Sequence, residues 1–365
     1  MNQDVVHIAT AINRGYLPYF AVMLQSIKRH RDTSRRYCVH VLSSDIEQSD
    51  LEQMLLTDDE LVTVDLLDVT WFKNETEGLE FGEFFSVECI YRLALLKLIP
   101  NVDKIIYLDS DLIVLDDISI LFDTELGCNY VAAVRDIGIA GMVGGYAPDE
   151  AERLKSIGIA DLDGYFSSGV MVWNLSKTRQ DFTLSQLIQW IDKNKPRYSD
   201  QDCLNYFFAG SVCYLDPKWN TLFDSENIRV SQIVPYASKA LQEQYLRARE
   251  NPSIFHYAGP VKPWAEDVDG SPLFWEEARP SALYESVLRR YVNSENKKLF
   301  QLVWETFDDV YFRLSEAERI REDLHKRLSE VEQSIQTLQD RIERLEQQKT
   351  PIATRLYNKI GLHGK

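Results

Sequence analysis

The chain has 365 residues, of which 45% are hydrophobic and 27% charged, so it holds enough apolar sequence for a full core with room for an appendage. A formal charge of −17 argues against a general nucleic-acid binder, which needs a basic surface. The five widely spaced cysteines, Cys38, Cys89, Cys128, Cys203 and Cys213, form no Cys-x-x-Cys pair; they indicate neither a disulfide framework nor a zinc site and read as reduced core residues. There is no basic-then-apolar leader and no uninterrupted apolar run of about 18 residues, so the chain is expected to be soluble and cytoplasmic.

In chain order, "VVHIAT" is short, β-branched and apolar, "GYLPYFAVMLQSIKRH" has helical apolar spacing, and "YCVHVLSS" returns to strand character. This is a β-α-β unit. Further strands are predicted at "LVTVDLL", "KIIYLD", "DLIVL", "YVAAVR" and "GVMVWNL", with helices at "DLEQMLL" and "VECIYRLALLKLIP". The alternation predicts an α/β domain with a mainly parallel sheet covered by helices on both faces. Ligands of such sheets sit beyond the carboxyl ends of the strands. The segment from Asp136 to Tyr165 is Gly-rich, including "GMVGGY", and carries the charged helical stretch "PDEAERLKSIG". It has no phosphate-loop signature and reads as a mobile loop over a site. After about Glu295 the pattern changes: Leu324, Leu328, Val331, Ile335, Leu338, Ile342 and Leu345 recur at alternating three- and four-residue steps, a heptad seam that reads as a coiled coil or long helical stalk, with a helix folded against the catalytic domain as the alternative. The stretch from Lys349 to Lys365 includes Arg355 and Lys359 and no acidic residue.

Four Asp-x-Asp pairs occur: Asp109/Asp111, Asp161/Asp163, Asp200/Asp202 and Asp267/Asp269. Turns and helix caps explain most such pairs. Asp109 and Asp111 differ in emerging between two apolar runs, where unpaired charge is costly and a divalent cation offsets that cost. Hard oxygen ligands suit Mg²⁺ or Mn²⁺. In "FHYAGPVKPW", His256 adds an imidazole and tilts the choice toward Mn²⁺, while Gly259 and Lys262 make a diphosphate grip. "YSDQDCLNYFF" starts a helix with Asp200 or Asp202 near its N-terminus.

Six stretches in order, "HIATAINRGYLPYFAVMLQSI", "VECIYRLALLKL", "YLDSDLIV", "YFSSGVMVWNL", "DQDCLN" and "HYAGPVKPW", together resemble the family 8 glycosyltransferases, the group of glycogenin-like enzymes and bacterial lipopolysaccharide galactosyl- and glucosyltransferases. The resemblance implies a GT-A fold, a UDP-sugar donor and retention of anomeric configuration. It implies Asp109, Asp111 and His256 as Mn²⁺ ligands, and Gly259 and Lys262 as diphosphate contacts. Ala9, Thr10 and Tyr16 match the uridine pocket; Arg92, Asp136, Asp200 and Gln201 match positions around the donor sugar, with Asp200, Gln201 and Arg92 as the catalytic set. Two positions depart from the family pattern: Ala11 stands for an Asp after the first strand, and Ser167 for an Asn in the "YFSSG" stretch.

The expected organisation is a GT-A domain over 1–275, a helical connector over 276–312, a coiled coil over 313–348 and a basic amphipathic tail over 349–365. The expected activity is transfer of a hexose from a UDP-sugar to a glycan, glycolipid or protein acceptor, as in bacterial surface polysaccharide synthesis. The coil predicts a homodimer or higher oligomer, and the tail predicts peripheral contact with an anionic membrane surface. Competing readings are a nucleotidyltransferase, a non-catalytic nucleotide-binding scaffold assembled through the coil, and a self-glucosylating initiator.

Overall fold

The computed structural model describes residues 5–52, 54, 59–79, 87–224, 227–293 and 297–360. Two compact units divide the chain, Met1–Ser294 and Glu295–Lys365. The first contains a seven-stranded sheet of β1 (Val5–Ala11), β2 (Arg36–Ser43), β3 (Val62–Asp68), β4 (Lys104–Leu108), β6 (Val131–Arg135), β7 (Phe166–Asn174) and β8 (Val212–Tyr214). The order is β3-β2-β1-β4-β7-β6-β8, parallel throughout except that β7 runs antiparallel to both its neighbours. The fold is therefore mixed α/β with a mainly parallel sheet, as expected.

Burial explains which strands were readable. Central β7 is buried at every position but its last, and its second half, Gly169 to Trp173, reads as an apolar run; edge strand β3 alternates buried and exposed at its start. One face packs Val6, Ile8, Val39 and Val41 into a core with Phe20 and Leu24 of the helix Leu17–His30. The other packs Tyr107, Met171 and Trp173 against Leu93, Leu187 and Phe208. Each such side chain contributes roughly 1.5–3 kcal/mol, which locks the strand register.

Of a second sheet only one strand, β5 (Leu112–Val114), was read, within "DLIVL". The sheet joins β5, β9 (Thr221–Leu222) and β10 (Ile254–His256), with β10 antiparallel to β5 and parallel to β9. Strands of two or three residues are too short to show a period.

Beyond residue 275, the helices Ser271–Ala278 and Tyr284–Asn293 lie in the first unit: Phe274, Ala278 and Val287 are buried in a cluster with Tyr19 and Trp264. The second unit is one helix, Lys297–Ile360. The side chains of the basic stretch 349–365 lie outside the described residues. No helix among the described residues is long and apolar enough to cross a membrane. All five cysteines are free thiols, but only Cys203 is buried, and Cys128 is exposed. The expectation of five core cysteines is thus corrected; Cys128 follows Gly127 in a turn between packed elements.

On the first sheet, His40 of β2 pairs with Ala9 and Asp65, and its Nε2 lies 3.1 Å from Nδ1 of His7 in a stacked arrangement. A bond between two ring nitrogens needs a proton on one and a lone pair on the other, so the two rings are not both charged. Burial, and then His7, lower the His40 pKa from 6.5 to about 4. The unfolded chain therefore binds more protons between those values, and stability falls as pH drops through that window, by on the order of 3 kcal/mol. The melting temperature should decline on acidification from about pH 7 to about pH 5, and His40→Gln should flatten that decline. An unchanged slope in the variant would contradict this account.

Candidate active site

The sheet order reverses between β1 and β4, and a cleft of ≈ 1040 Å³ opens beyond their carboxyl ends. Asp109 directly follows β4, its amide donating to the Gly169 carbonyl at 2.8 Å. Asp111 directly precedes β5. Because β5 pairs with β10, His256 lies opposite Leu112 and its Nε2 is 3.1 Å from Oδ1 of Asp111 and 3.9 Å from Oδ2 of Asp109. The three side chains offer ligand atoms all within 4.8 Å of one another.

The histidine's other nitrogen decides what this cluster can hold. Asn220 donates its amide N–H to Ser167 Oγ at 3.1 Å, which turns its Oδ1 toward Nδ1 of His256 at 2.8 Å. Nδ1 then carries the proton and Nε2 presents a lone pair to two carboxylates, the tautomer of a metal-ligating imidazole with an oriented outer partner. A lone pair facing two carboxylates calls for a cation between them, either a proton on Nε2 that hydrogen-bonds Asp111 or a divalent ion, and the donor set fits a hard divalent ion.

Gly169 makes this convergence sterically feasible. A Cβ there would sit 2.5 Å from Cε1 of His256 and 2.8 Å from Oδ2 of Asp109, closer than atoms pack. Asp111 is also held from the other side by Lys262, at 2.5 Å from its Oδ2. Burial alone would raise the Asp111 pKa, but Lys262 and His256 hold its carboxyl well below the usual range. Lys262 gives a second hydrogen bond to the Tyr257 carbonyl at 2.6 Å, leaving its third N–H for an incoming acceptor atom. Trp264 fixes this end of the motif by stacking on Tyr19 at 4.0 Å and meeting Tyr16 edge-on.

Arg92 lies beneath the carboxylates, 3% exposed. It donates to Asp109 Oδ1 (2.8 Å), the Ser168 carbonyl (2.6 Å) and the Cys89 carbonyl (2.9 Å), and pairs with Asp200 Oδ2 at 3.2 Å. Burial would lower its pKa, but the Asp200 and Asp109 carboxylates raise it further. Asp200 also accepts from Ser168 Oγ at 2.9 Å; burial, opposed by Arg92, lifts its pKa to about 6. Gln201 accepts from the Ser168 amide at 3.0 Å and donates to Asp136 Oδ2 at 3.0 Å, while Asp136 Oδ1 caps the helix Ile137–Gly141. Asp136, Ser167, Asp200, Gln201, Gly259 and Lys262 all line the cleft.

Of the three positions matched to a uridine pocket, the structure brings only Tyr16 to the cleft. Ala9 and Thr10 are fully buried behind its wall, which at the end of β1 is formed by Ala11, Ile12 and Asn13. A strand's last residues project past the sheet, so the lining begins just after them. Sequence reasoning missed Asn220, Ser168, Gly169 and Arg229. Arg229 lines the cleft with Nη1 buried and without a hydrogen-bond partner. Nothing near these four in sequence marks them, because their partners lie on other elements.

The Gly-rich stretch is not a loop. Residues Ile137–Gly141 form a helix continued by a π-type turn over Met142–Tyr146, and Gly138, Ile139 and Met142 line the cleft. A Cβ on Gly141 would meet the Ile233 carbonyl at 2.2 Å, and one on Gly144 the Tyr236 carbonyl at 2.0 Å. These glycines permit close packing against the 229–236 segment. The expected helix follows at Pro148–Ser156. The other Asp-x-Asp pairs have structural partners: Asp202 binds Arg153 and Tyr165, Asp161 accepts from the Gly164 amide, and Asp269 pairs with Arg249.

Over residues 7–268 the chain matches the sequence profile of "Glycosyl transferase family 8", and it belongs to that family. It is similar to General stress protein A of Bacillus subtilis, 26% identical over 268 residues, covering 72% of this chain and 88% of that protein. It is 28% identical over 205 residues to the lipopolysaccharide glucosyltransferase WaaO of Escherichia coli, covering 54% of this chain and 55% of the relative. Among solved structures, the bifunctional glycosyltransferase WbbM superposes with a TM-score of 0.69 at 28% identity, covering 79% of this chain and 52% of that one, about half its length. The galactosyltransferase LgtC, solved with donor and acceptor sugar analogues, gives 0.60 at 27% identity, covering 76% of this chain and 96% of that one.

Gly169→Ala tests the geometry directly. The added methyl should displace His256 or Asp109, costing about 1–3 kcal/mol in thermal unfolding and roughly 100-fold in glycosyl transfer. Retention of full activity would show that the close approach is not needed.

Proposed function

We propose that the chain is a retaining hexosyltransferase that moves a hexose from a UDP-sugar to a glycan, glycolipid or protein acceptor, in bacterial surface polysaccharide or lipopolysaccharide synthesis. The observation that carries this reading is the convergence of Asp109, Asp111, His256 and Lys262 at the mouth of the β1/β4 cleft. The family membership and the glycosyltransferase activities of WaaO and LgtC support it.

In this reading Tyr16 faces the uracil and Gly259 and Lys262 contact the diphosphate. Mn²⁺ or Mg²⁺ held by Asp109, Asp111 and His256 would supply positive charge against the departing diphosphate. Lys262 directs its remaining N–H at the same oxygens as negative charge grows there. Arg92, held rigid by two carboxylates and two carbonyls, orients Asp200 toward the hydroxyls of the donor sugar.

Retention requires either two inversions through a covalent intermediate or attack from the leaving-group face. Gln201 is a neutral amide whose oxygen accepts the Ser168 amide N–H, and Asp200 is committed to Arg92 and Ser168. Neither is disposed to attack the anomeric carbon. We therefore favour front-face transfer: the bond from the anomeric carbon to the phosphate oxygen breaks, the acceptor oxygen bonds on the same face, and its proton passes to a phosphate oxygen of UDP. Beyond donor and acceptor, the partners in this reading are a second copy through the 313–348 coil and an anionic membrane surface at residues 349–365.

Screening UDP-sugars for metal-dependent hydrolysis tests the activity. Asp109→Asn or Asp111→Asn should lower turnover roughly a thousandfold or more, and full activity of the parent enzyme in EDTA would refute the metal assignment. Gln201→Ala should slow turnover modestly and Asp200→Asn more severely. Because protonation loosens the Asp200 pairing with Arg92, the parent rate should fall as pH drops through about 6. Isolation of a glycosyl-enzyme adduct on either residue would overturn front-face transfer.

A further inference from the structure

The helix Lys297–Ile360 carries an apolar stripe with nothing in the described chain covering it. Leu324, Leu328, Val331, Ile335, Leu338, Ile342 and Leu345 are 50% to 58% exposed, a contiguous seam that a lone soluble helix does not sustain. In heptad terms Leu328, Ile335 and Ile342 occupy a positions, and Leu324, Val331, Leu338 and Leu345 occupy d positions. Arg321 falls at the preceding a position and ends the apolar run.

The charged residues flanking the seam carry information the seam itself lacks. The g positions are Arg313, Ile320, Arg327, Ser334 and Arg341, and the e positions are Glu318, His325, Glu332, Gln339 and Glu346. Residues five apart are too far round one helix to meet, but in a parallel two-stranded coil each g residue faces the e residue five positions later on the partner. That geometry sets Arg313 against Glu318, Arg327 against Glu332 and Arg341 against Glu346, each pair occurring on both sides of the coil. An antiparallel coil sets g against g and e against e, placing Arg opposite Arg and Glu opposite Glu. Sliding a parallel partner by one heptad places Arg327 opposite Gln339 or His325 and removes the matches. The pattern has a 14-residue period, so it selects register as well as direction. Arg327 pairs within its own helix with Asp323 at 2.9 Å, a highly exposed contact that leaves the guanidinium able to fork to a second carboxylate.

We propose that the partner of this stripe is a second copy of the chain, in a parallel, in-register, two-stranded coil. Mostly Ile at a with mostly Leu at d favours two strands, and Arg321 in the seam opposes larger bundles. From Arg313 to Glu346 the coil is about 50 Å long. Chain direction then makes both catalytic units leave the coil from its N-terminal end and both 349–365 stretches from its C-terminal end. This deepens the coil reading given above and fails separately from it.

The test uses the full chain carrying Leu324→Cys or Leu345→Cys, each alone, under mild oxidation beside the parent. Light scattering should give a dimer. Each variant alone should form a covalent dimer absent from the parent, because d residues meet their own copies in register. A dimer by light scattering with no cross-linking in either variant alone would exclude the parallel in-register coil, and a trimer would exclude two strands; either outcome overturns the proposal. A monomer would refute the coil itself while leaving the transferase reading untouched. As a second measurement, Glu332→Arg with Glu346→Arg should weaken dimerisation roughly tenfold or more, and adding Arg327→Glu with Arg341→Glu should restore it. Failure of the fourfold swap to restore it would overturn the charge code.

Discussion

Buried charge is the constraint on which the site depends. Asp109, Asp111 and Asp200 converge at the end of a sheet buried on both faces, where isolated carboxylates would be desolvated at large cost. Arg92 and Lys262 meet that cost from opposite sides, Arg92 beneath Asp109 and Asp200, and Lys262 beside Asp111. One group is not satisfied by this pairing. The His256 Nε2 still faces two carboxylate oxygens, a position that a proton or a divalent cation fills.

The surrounding architecture serves to hold that arrangement still. Antiparallel pairing of β10 with β5 delivers His256 to Asp111 across 145 residues, and Asn220, just before β9, sets the tautomer. The Tyr19–Trp264 stack anchors the segment that carries Lys262. Across the cleft, Asp136 joins two tasks, capping a helix with one oxygen and orienting Gln201 with the other. Rigid donors of this kind cost no reorganisation when charge moves during transfer, which is the general source of electrostatic catalysis.

The second unit applies the same physics in another solvent regime. Its arginines and glutamates are exposed, so each ion pair is weak, and they act by discriminating between arrangements more than by adding stability. A periodic charge pattern achieves this because every wrong register or direction replaces attraction with mismatch or repulsion. In the catalytic unit a few strong buried pairs define geometry. In the proposed coil several weak exposed pairs would define partner orientation.

Much of this was open to reading from the chain alone. The paired β-α-β elements, the parallel sheet and the special position of Asp109 and Asp111 follow from long apolar runs, whose period reports burial. His256, Gly259 and Lys262 were legible as a group because they sit within seven residues. The heptad seam and its flanking charges are likewise one-dimensional, since a helix repeats its neighbours at fixed spacing. What only tertiary structure decided was everything mediated by short strands and distant partners. The three-stranded sheet has no detectable period, so neither Asn220 nor the approach of His256 to Asp111 could be derived from spacing. The Gly-rich 137–146 segment reads as a loop because glycine disfavours helices, yet most of it is helical, and Gly141 and Gly144 are needed there because the Ile233 and Tyr236 carbonyls leave no room for a Cβ. Gly169 carries no local signal at all; its small size matters only once Asp109 and His256 close around it.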